Sequence, residues 1–426
     1  MVGWRWRVPR PPAADPLRAF SSEEVEVCVR HAKPRQRWGL MAFAVDLLLL
    51  AALALSPPGR RVVAWAAGLA GGFVPGRAAL TVTTVMVLQA LVGLPFSLRA
   101  YRQDRRDGLA TQRLPGFLAD WLKGRGVGLV LTVLPVAGLI AAAHWRPPGY
   151  PWVAAVVGAL LVVLLGLLSP VVLEPLFNRF APLEAGPLRE RMLALAATIG
   201  VPVRDVLVTD ASRRTTRVNA YVSGIGRTRR VVVYDTLLAD RRAAAARAAD
   251  DGPGPVERAP EREREDEVAL VLAHELAHVR HRDVLLGMAG GALTTAGGVL
   301  LVSWLLERAW LRDLLHVSGL GDPDVAPGLL LLGAVGALLA APLASAVSRW
   351  AEARADWLAL EVSRDPVTAV AVERRLALEN RADLRPNRLR VLLFASHPPT
   401  MARIAQAWLW ADRHADEPVP GAGGPA

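Results

Sequence analysis

The chain has 426 residues, 53% of them hydrophobic, and a mean hydropathy of +0.30, which excludes a disordered or ordinary soluble protein and predicts a polytopic membrane protein. A single cysteine, Cys28, excludes an internal disulfide and a thiolate cluster, so histidine and carboxylate must hold any metal. The net charge of +11 comes from arginines placed between apolar runs; no basic, aromatic-interleaved patch argues for nucleic acid, and the charge fits membrane topology.

Residues 1–37 hold Trp4, Trp6, Pro9, Pro11, Pro12 and several arginines without the apolar core of a secretory signal, and predict an N-terminal tail and membrane-surface segment. Residues 38–173 predict spans one to five, in the runs 38–56, 62–74, 78–98, 127–143 and 152–173. The run 62–74 is the weakest, being short, with three glycines and Pro75 directly after it. Asp46 interrupts the first run, either as a functional intramembrane acid or facing a local polar partner. The arginine-rich stretch 99–125 predicts a cytoplasmic loop, and the turn 144–151 carries three prolines.

Residues 174–284 change character. Helical spacing at 187–200 is followed by strands at 205–209 and 230–234 around 218–223, a small α+β unit. The stretch 240–267, rich in Arg, Ala, Glu, Pro and Gly, predicts a mobile or partly helical insertion. Spans six and seven follow at 285–306 and 325–347, the first rich in small residues suited to close packing. Residues 348–412 are charged and helical in pattern, and 413–426 form a disordered Pro/Gly tail.

Between the insertion and the sixth span, residues 268–283 read VALVLAHELAHVRHRD. Val268, Leu272, Leu276 and Val279 recur at helical spacing, and His274, Glu275 and His278 form H-E-x-x-H on the same helix. Residues four apart share a face, so both imidazoles reach one zinc ion while Glu275 faces the water at its open position. Just after the last span, Glu352 and Asp356 are again four apart. Glu352 suits the third ligand from a second helix, and Asp356 the outer carboxylate that holds an imidazole by its other nitrogen. The competing reading is a solvated acidic face balanced by Arg349 and Arg354.

H-E-L-A-H at 274–278, E-A-R-A-D at 352–356 and H-P-P-T-M-A-R-I at 397–404 occur in one order with E-P-L-F-N-R-F-A-P-L at 174–183, T-D-A-S-R-R-T at 209–215, V-N-A-Y-V-S-G at 218–224 and V-V-V-Y-D-T-L-L at 231–238. This set resembles the membrane-integral zinc metalloendopeptidases typified by the type I CAAX prenyl protease, over most of residues 95–410. The resemblance implies a mainly α, polytopic helical membrane fold of seven spans, with a small α+β zincin-like catalytic portion on the cytoplasmic face. Six spans would equally keep the zinc on that side.

The resemblance also implies roles. Asn219, Ala220 and Tyr221 resemble the edge strand that pairs with the bound peptide backbone, and His397 and Arg403 resemble the groups that stabilise the oxyanion and hold the site together. Glu275 would be the general base, with one zinc ion per chain on His274, His278 and Glu352. His281 and Asp283 are read as solvent-facing or packing residues, not ligands. The expected function is a zinc endopeptidase acting on membrane-tethered proteins in a bacterial cytoplasmic membrane, with prenylated C-terminal peptides as the family's named substrate. The competing readings are turnover of damaged membrane proteins without prenyl recognition, and a non-catalytic scaffold or transporter.

Overall fold

The computed structural model describes residues 8–238 and 261–416. Helices dominate, and six are long and apolar enough to cross a membrane: Ser22–Leu55, Val74–Arg106, Leu114–Trp145, Tyr150–Phe177, Asp283–Leu305 and Pro323–Ser363. Each contains one of the runs read from the sequence. Their outward side chains, Leu134, Leu293 and Leu339 among them, are exposed, as a lipid-facing surface requires.

Helix α1 (Ser22–Leu55) begins at a capping box in which Ser21 and Glu24 satisfy each other's backbone N–H groups. Residues 22–37 are therefore not a tail: they form the first turns of α1. Phe20, Val25 and Cys28 pack there against Ala377, Leu384, Met401 and Ile404 of the C-terminal part, so the start of the chain is tied to its end. Cys28 is fully buried.

The run 62–74 does not make a long helix. Helix α2 (Pro57–Gly68) has 12 residues, about 18 Å at 1.5 Å per residue, short of the roughly 30 Å of a bilayer core. Ser56 caps it, Pro57 opens it, and it folds back so closely on α1 that a β-carbon at Gly59 would overlap the Ala52 carbonyl. Among the described residues, six helices meet the length of a span. The segment 99–125 also differs from a loop: α3 (Val74–Arg106) and α4 (Leu114–Trp145) extend into it. Only 107–113 is irregular, and it is tied to the catalytic part through an Ala110–Thr215 bridge and the bond from Thr111 N–H to the Arg214 carbonyl, 3.0 Å. Asp46 accepts a 2.9 Å hydrogen bond from Gln89 of α3, the local polar partner.

Helix α5 (Tyr150–Leu168) continues through a π-helical turn, Ser169–Leu173, into the short α6 (Glu174–Phe177). It packs against α9 (Asp283–Leu305), where Gly158 lets Thr295 approach within van der Waals contact, the close packing that small residues permit.

The sheet contains β1 (Phe180–Pro182), β2 (Asp205–Thr209), β3 (Ala220–Ser223) and β4 (Arg230–Tyr234) in the order β1-β2-β4-β3. β4 runs parallel to β2 and antiparallel to β3. Flanked on both sides, β4 buries Val231, Val232 and Val233 completely, hence a continuous apolar run without alternation. β3 is an edge strand. Helix α7 (Pro187–Ile199), ended by Gly200 in the left-handed region at φ 75°, covers the sheet. With α8 (Glu261–Arg280), α11 (Ala326–Ser363), α12 (Pro366–Glu379) and α14 (Thr400–Arg413), it closes one core through Met192, Val206, Val231, Leu272, Leu276, Trp357 and Trp410.

The insertion read at 240–267 overlaps α8, whose helix already begins at Glu261. Asp266 pairs with Arg191, and Glu267 with Arg375 at 2.7 Å, so this end of α8 is held by α7 and α12. Residues 239–260, where the rest of the insertion falls, and 417–426 of the C-terminal tail lie outside the described residues. A short helix α10 (Ala309–Leu315) follows α9, and α13 (Arg388–Phe394) precedes α14.

Candidate metal centre

The core-facing side of α8 is apolar: Val268, Leu272 and Leu276 are almost wholly buried. Burying them fixes the rotation of the helix and turns His274 and His278 away from that side, with Glu275 at its border next to Val268. The two histidines face α11, which presents Glu352 and Asp356 from consecutive turns. Glu352 is only 8% exposed, so the acidic pair is not a solvated face, and Arg354 is buried as well rather than balancing it in water.

The His274 and His278 Nε2 atoms lie 3.2 Å apart. Glu352 Oε2 is 3.3 Å from the first and Oε1 is 3.5 Å from the second. Among the described residues, His274, His278 and Glu352 are the group that can hold a metal ion, each offering one atom within 4.8 Å of the others.

Each imidazole is held from behind. Asp356 Oδ1 lies 2.8 Å from His274 Nδ1, and Asp283 Oδ2 lies 2.9 Å from His278 Nδ1. A carboxylate at Nδ1 makes that nitrogen the donor and leaves the Nε2 lone pair free. Two such lone pairs and a carboxylate then converge on one point, an arrangement that repels itself unless a cation lies among them. Without a metal the positive charge comes from a proton: burial opposes it, but Asp356 and Glu352 outweigh burial and raise the His274 pKa to about 10. The nitrogen and oxygen donors suit zinc, and the residues present fit that ion.

A second layer of charge fixes the carboxylates. Arg403 donates from Nε to Asp356 Oδ2 at 2.8 Å and from Nη2 to Oδ1 at 2.5 Å; its Nη1 lies 2.9 Å from Glu373 Oε1. Arg354 pairs with Asp283 through Nη2 on the other side. Glu275 carries no direct contact with Glu352; burial raises its pKa, against the two neighbouring imidazoles that lower it. His397, exposed to solvent, places Nδ1 2.8 Å from Glu352 Oε2.

These groups line a cavity of about 140 Å³ whose walls include Asn219, Ala220, Glu275, His397 and Arg403. The apolar side comes from Leu270, Val271, Leu360 and Val372. β3 borders it with its unpaired edge. The Asn219 carbonyl accepts from Tyr234 N–H of β4 at 3.0 Å, and alternation along a strand turns the Ala220 N–H and C=O toward the open side. Ala220 N–H now meets the Asn219 side-chain oxygen at 3.0 Å. The Tyr221 side chain turns away from the cavity, toward Glu174 and Tyr234, and alternation turns its N–H and C=O toward β4, so Tyr221 does not belong to the open edge.

Two residues escaped the sequence reading. Asp283, read as packing or solvent-facing, is not a ligand but is the group behind His278. It comes back to the site because Arg282 takes a left-handed conformation, φ 59°, breaking α8 from α9; a five-residue separation is not a helical neighbour, and the only sequence signal was an acid just past the motif. Glu373, on α12, shares Arg403 with Asp356, and burial raises its pKa to about 7 despite that contact. Its place in α12 gave no signal. His281, the other residue set aside as non-ligating, is half-buried, and burial and Arg354 lower its pKa to about 4.

Comparison with known proteins matches residues 182–411 to the model of peptidase family M48, and residues 16–179 to the model described as CAAX prenyl protease N-terminal, five membrane helices. An uncharacterized metalloprotease, YhfN, of Bacillus subtilis is 28% identical over 406 residues, covering 92% of this chain and 88% of its own. A CAAX prenyl protease 1 homolog of Oryza sativa is 28% identical over 332 residues, 75% of this chain and 71% of its own. The crystal structure of S. mikatae Ste24p superposes with a TM-score of 0.73 at 19% identity, covering 93% of this chain and 92% of that one, a shared fold.

Proposed function

The chain belongs to peptidase family M48 and is a multi-pass membrane metalloprotease of the CAAX prenyl protease type, and from that premise we propose that it is a zinc endopeptidase cleaving membrane-associated proteins. The observation that carries this reading is the convergence of two imidazole lone pairs and the Glu352 carboxylate beside the open edge of β3. A scaffold or transporter has no use for that set.

In this reading His274, His278 and Glu352 hold the ion, oriented by Asp356 and Asp283. When bound, zinc supplies Lewis acidity, making water nucleophilic near neutral pH and polarising a carbonyl. The substrate backbone adds to β3 through Ala220, which sets the scissile amide in the cavity. Glu275 accepts the proton of the attacking water and returns it to the leaving nitrogen; its burial strengthens it as a base. His397, which touches Glu352 and faces the opening, stabilises the oxyanion. Arg403 positions His274 through Asp356.

In this reading the arginine-bearing helix ends and the catalytic part face the cytoplasmic side of a bacterial membrane, the side that the positive-inside bias favours. Glu275→Gln tests the mechanism: it keeps the metal and loses cleavage of a membrane-anchored peptide about 10²- to 10⁴-fold, and full cleavage with metal retained would sink it. A prenylated C-terminal peptide compared with an unprenylated membrane fragment decides the substrate class; equal cleavage removes lipid recognition.

A further inference from the structure

A second cavity, of about 510 Å³, opens between α1, the segment around residues 380–383 and α13, and shares no lining residue with the metal-centre cavity. Arg35, Arg217, Arg381 and Arg390 line it against one carboxylate, Asp383. That carboxylate is already engaged, accepting from Lys33 at 3.1 Å and Gln36 at 2.8 Å. Arg35 and Arg217 share Asp104, at 2.9 and 3.6 Å. Arg381 donates to the Asp107 backbone carbonyl at 3.2 Å, and the Asp107 carboxylate is taken by the buried His31. Among the described residues, neither Arg381 nor Arg390 has a carboxylate at ion-pair distance. The cavity holds more positive charge than its own acids answer.

Its two helical walls change character in the same direction. On α1, Arg35 is followed by Gly39 and Phe43 on one face, and on α13 Arg390 is followed one turn later by Phe394. The Phe43 and Phe394 rings meet edge to face, centroids 6.3 Å apart, and with Leu40 they remain partly exposed at the mouth. This is the level where α1 passes from its polar first turns into its apolar run. Trp38 stands there with the Arg99 guanidinium 4.2 Å from its ring, in the manner of an interfacial aromatic. Cations inside and apolar groups at the lip complement an amphiphile; a free anion has no use for the lip.

We propose that this cavity binds the phosphate head group of an anionic phospholipid, with the acyl chains leaving over Leu40, Phe43 and Phe394. Arginine presents paired donors to phosphate oxygens, and basic pockets between helices at the cytoplasmic side are where such head groups are held. The site lies where α1 meets the C-terminal helices, so an occupied head group would bridge the membrane part and the part that bears Glu352 and His397.

The test uses the full-length, metal-loaded protein in neutral detergent, titrated with a fluorescent short-chain phosphatidylglycerol. Saturable binding is expected, competed by unlabelled phosphatidylglycerol and weakly by phosphatidylcholine. Arg390→Gln weakens it about fivefold, and Arg381→Gln with Arg390→Gln about 25-fold, from the usual contribution of one basic residue at a membrane surface. Phe394→Ala weakens the lipid but leaves inorganic phosphate unchanged. Metal content and elution volume serve as folding controls. Equal affinity for phosphatidylglycerol and phosphatidylcholine, or undiminished binding by the double variant, overturns the proposal. Inorganic phosphate competing as well as the lipid also overturns it, in favour of a free anion; loss of cleavage of soluble peptides with lipid binding intact overturns it in favour of a peptide carboxylate.

Discussion

Asp283 Oδ2 stands 2.9 Å from His278 Nδ1 although the two residues belong to different helices, separated by the left-handed break at Arg282. The same carboxylate is gripped by Arg354, two residues from Glu352 on α11. One acid thus couples the orientation of an imidazole on α8 to the helix that carries Glu352.

Asp283→Asn removes the charge that fixes the His278 tautomer. Metal affinity should fall about 10- to 100-fold, read by competition against a chromogenic chelator. Removing the carboxylate altogether breaks the buried Arg354–Asp283 pair, at a cost of about 3–5 kcal/mol, so Asp283→Ala should also lower the apparent melting temperature. An Asp283→Asn protein that binds metal as tightly as the parent would rule the residue out of this role.

Ala220→Pro removes the N–H that Ala220 presents on the open edge of β3 beside the cavity. An edge strand tolerates proline on its free side, so folding and metal content should hold. The loss of one peptide hydrogen bond, worth about 1 kcal/mol, lowers kcat/KM about fivefold. Unaltered kcat/KM on a peptide substrate would mean that the chain binds its substrate elsewhere.

Chelation should inactivate the protein and lower its thermal stability, because an ion that binds the folded site and not the unfolded chain stabilises by mass action. Zinc should restore both properties. Calcium and magnesium, which prefer all-oxygen sites, should not, and recovery with magnesium alone would contradict a nitrogen-ligated centre.

His281 supplies a pH dependence of known sign. Burial and Arg354 lower its folded pKa to about 4, below an unfolded value of about 6.5. Between these values the unfolded chain binds the extra proton, so stability rises with pH there and falls as pH drops from about 6.5 to about 4. Compared with the parent, His281→Gln should flatten the melting temperature across this window; identical slopes would show that other groups govern it.

Much of this architecture could be read from sequence because it rests on local periodicity. Six apolar runs became six long helices, and the strands at 205–209 and 230–234 formed at those residues. The H-E-x-x-H spacing brought His274 and His278 together because a helix turns every 3.6 residues, and Glu352 and Asp356 obey the same rule. The run 62–74 gives a helix that ends at Gly68 rather than a long one, and the reason is nonlocal: Gly59 lets α2 fold back on α1, which hydropathy does not see. Residues 22–37 looked like a tail because their apolar contacts, Val25 and Cys28 with Ala377 and Ile404, come from the far end of the chain.

By itself the sequence determined which residues can bind a metal and which segments can cross a membrane, since both follow from side-chain chemistry and helical repeat. Only the tertiary structure decided what stands behind those residues. Asp283 reaches His278 through a chain reversal, Glu373 reaches Arg403 from a separate helix, and Arg381 and Arg390 gather with Arg35 across more than three hundred residues of chain. Electrostatic partners depend on distance in space, and periodicity along the chain carries no record of it.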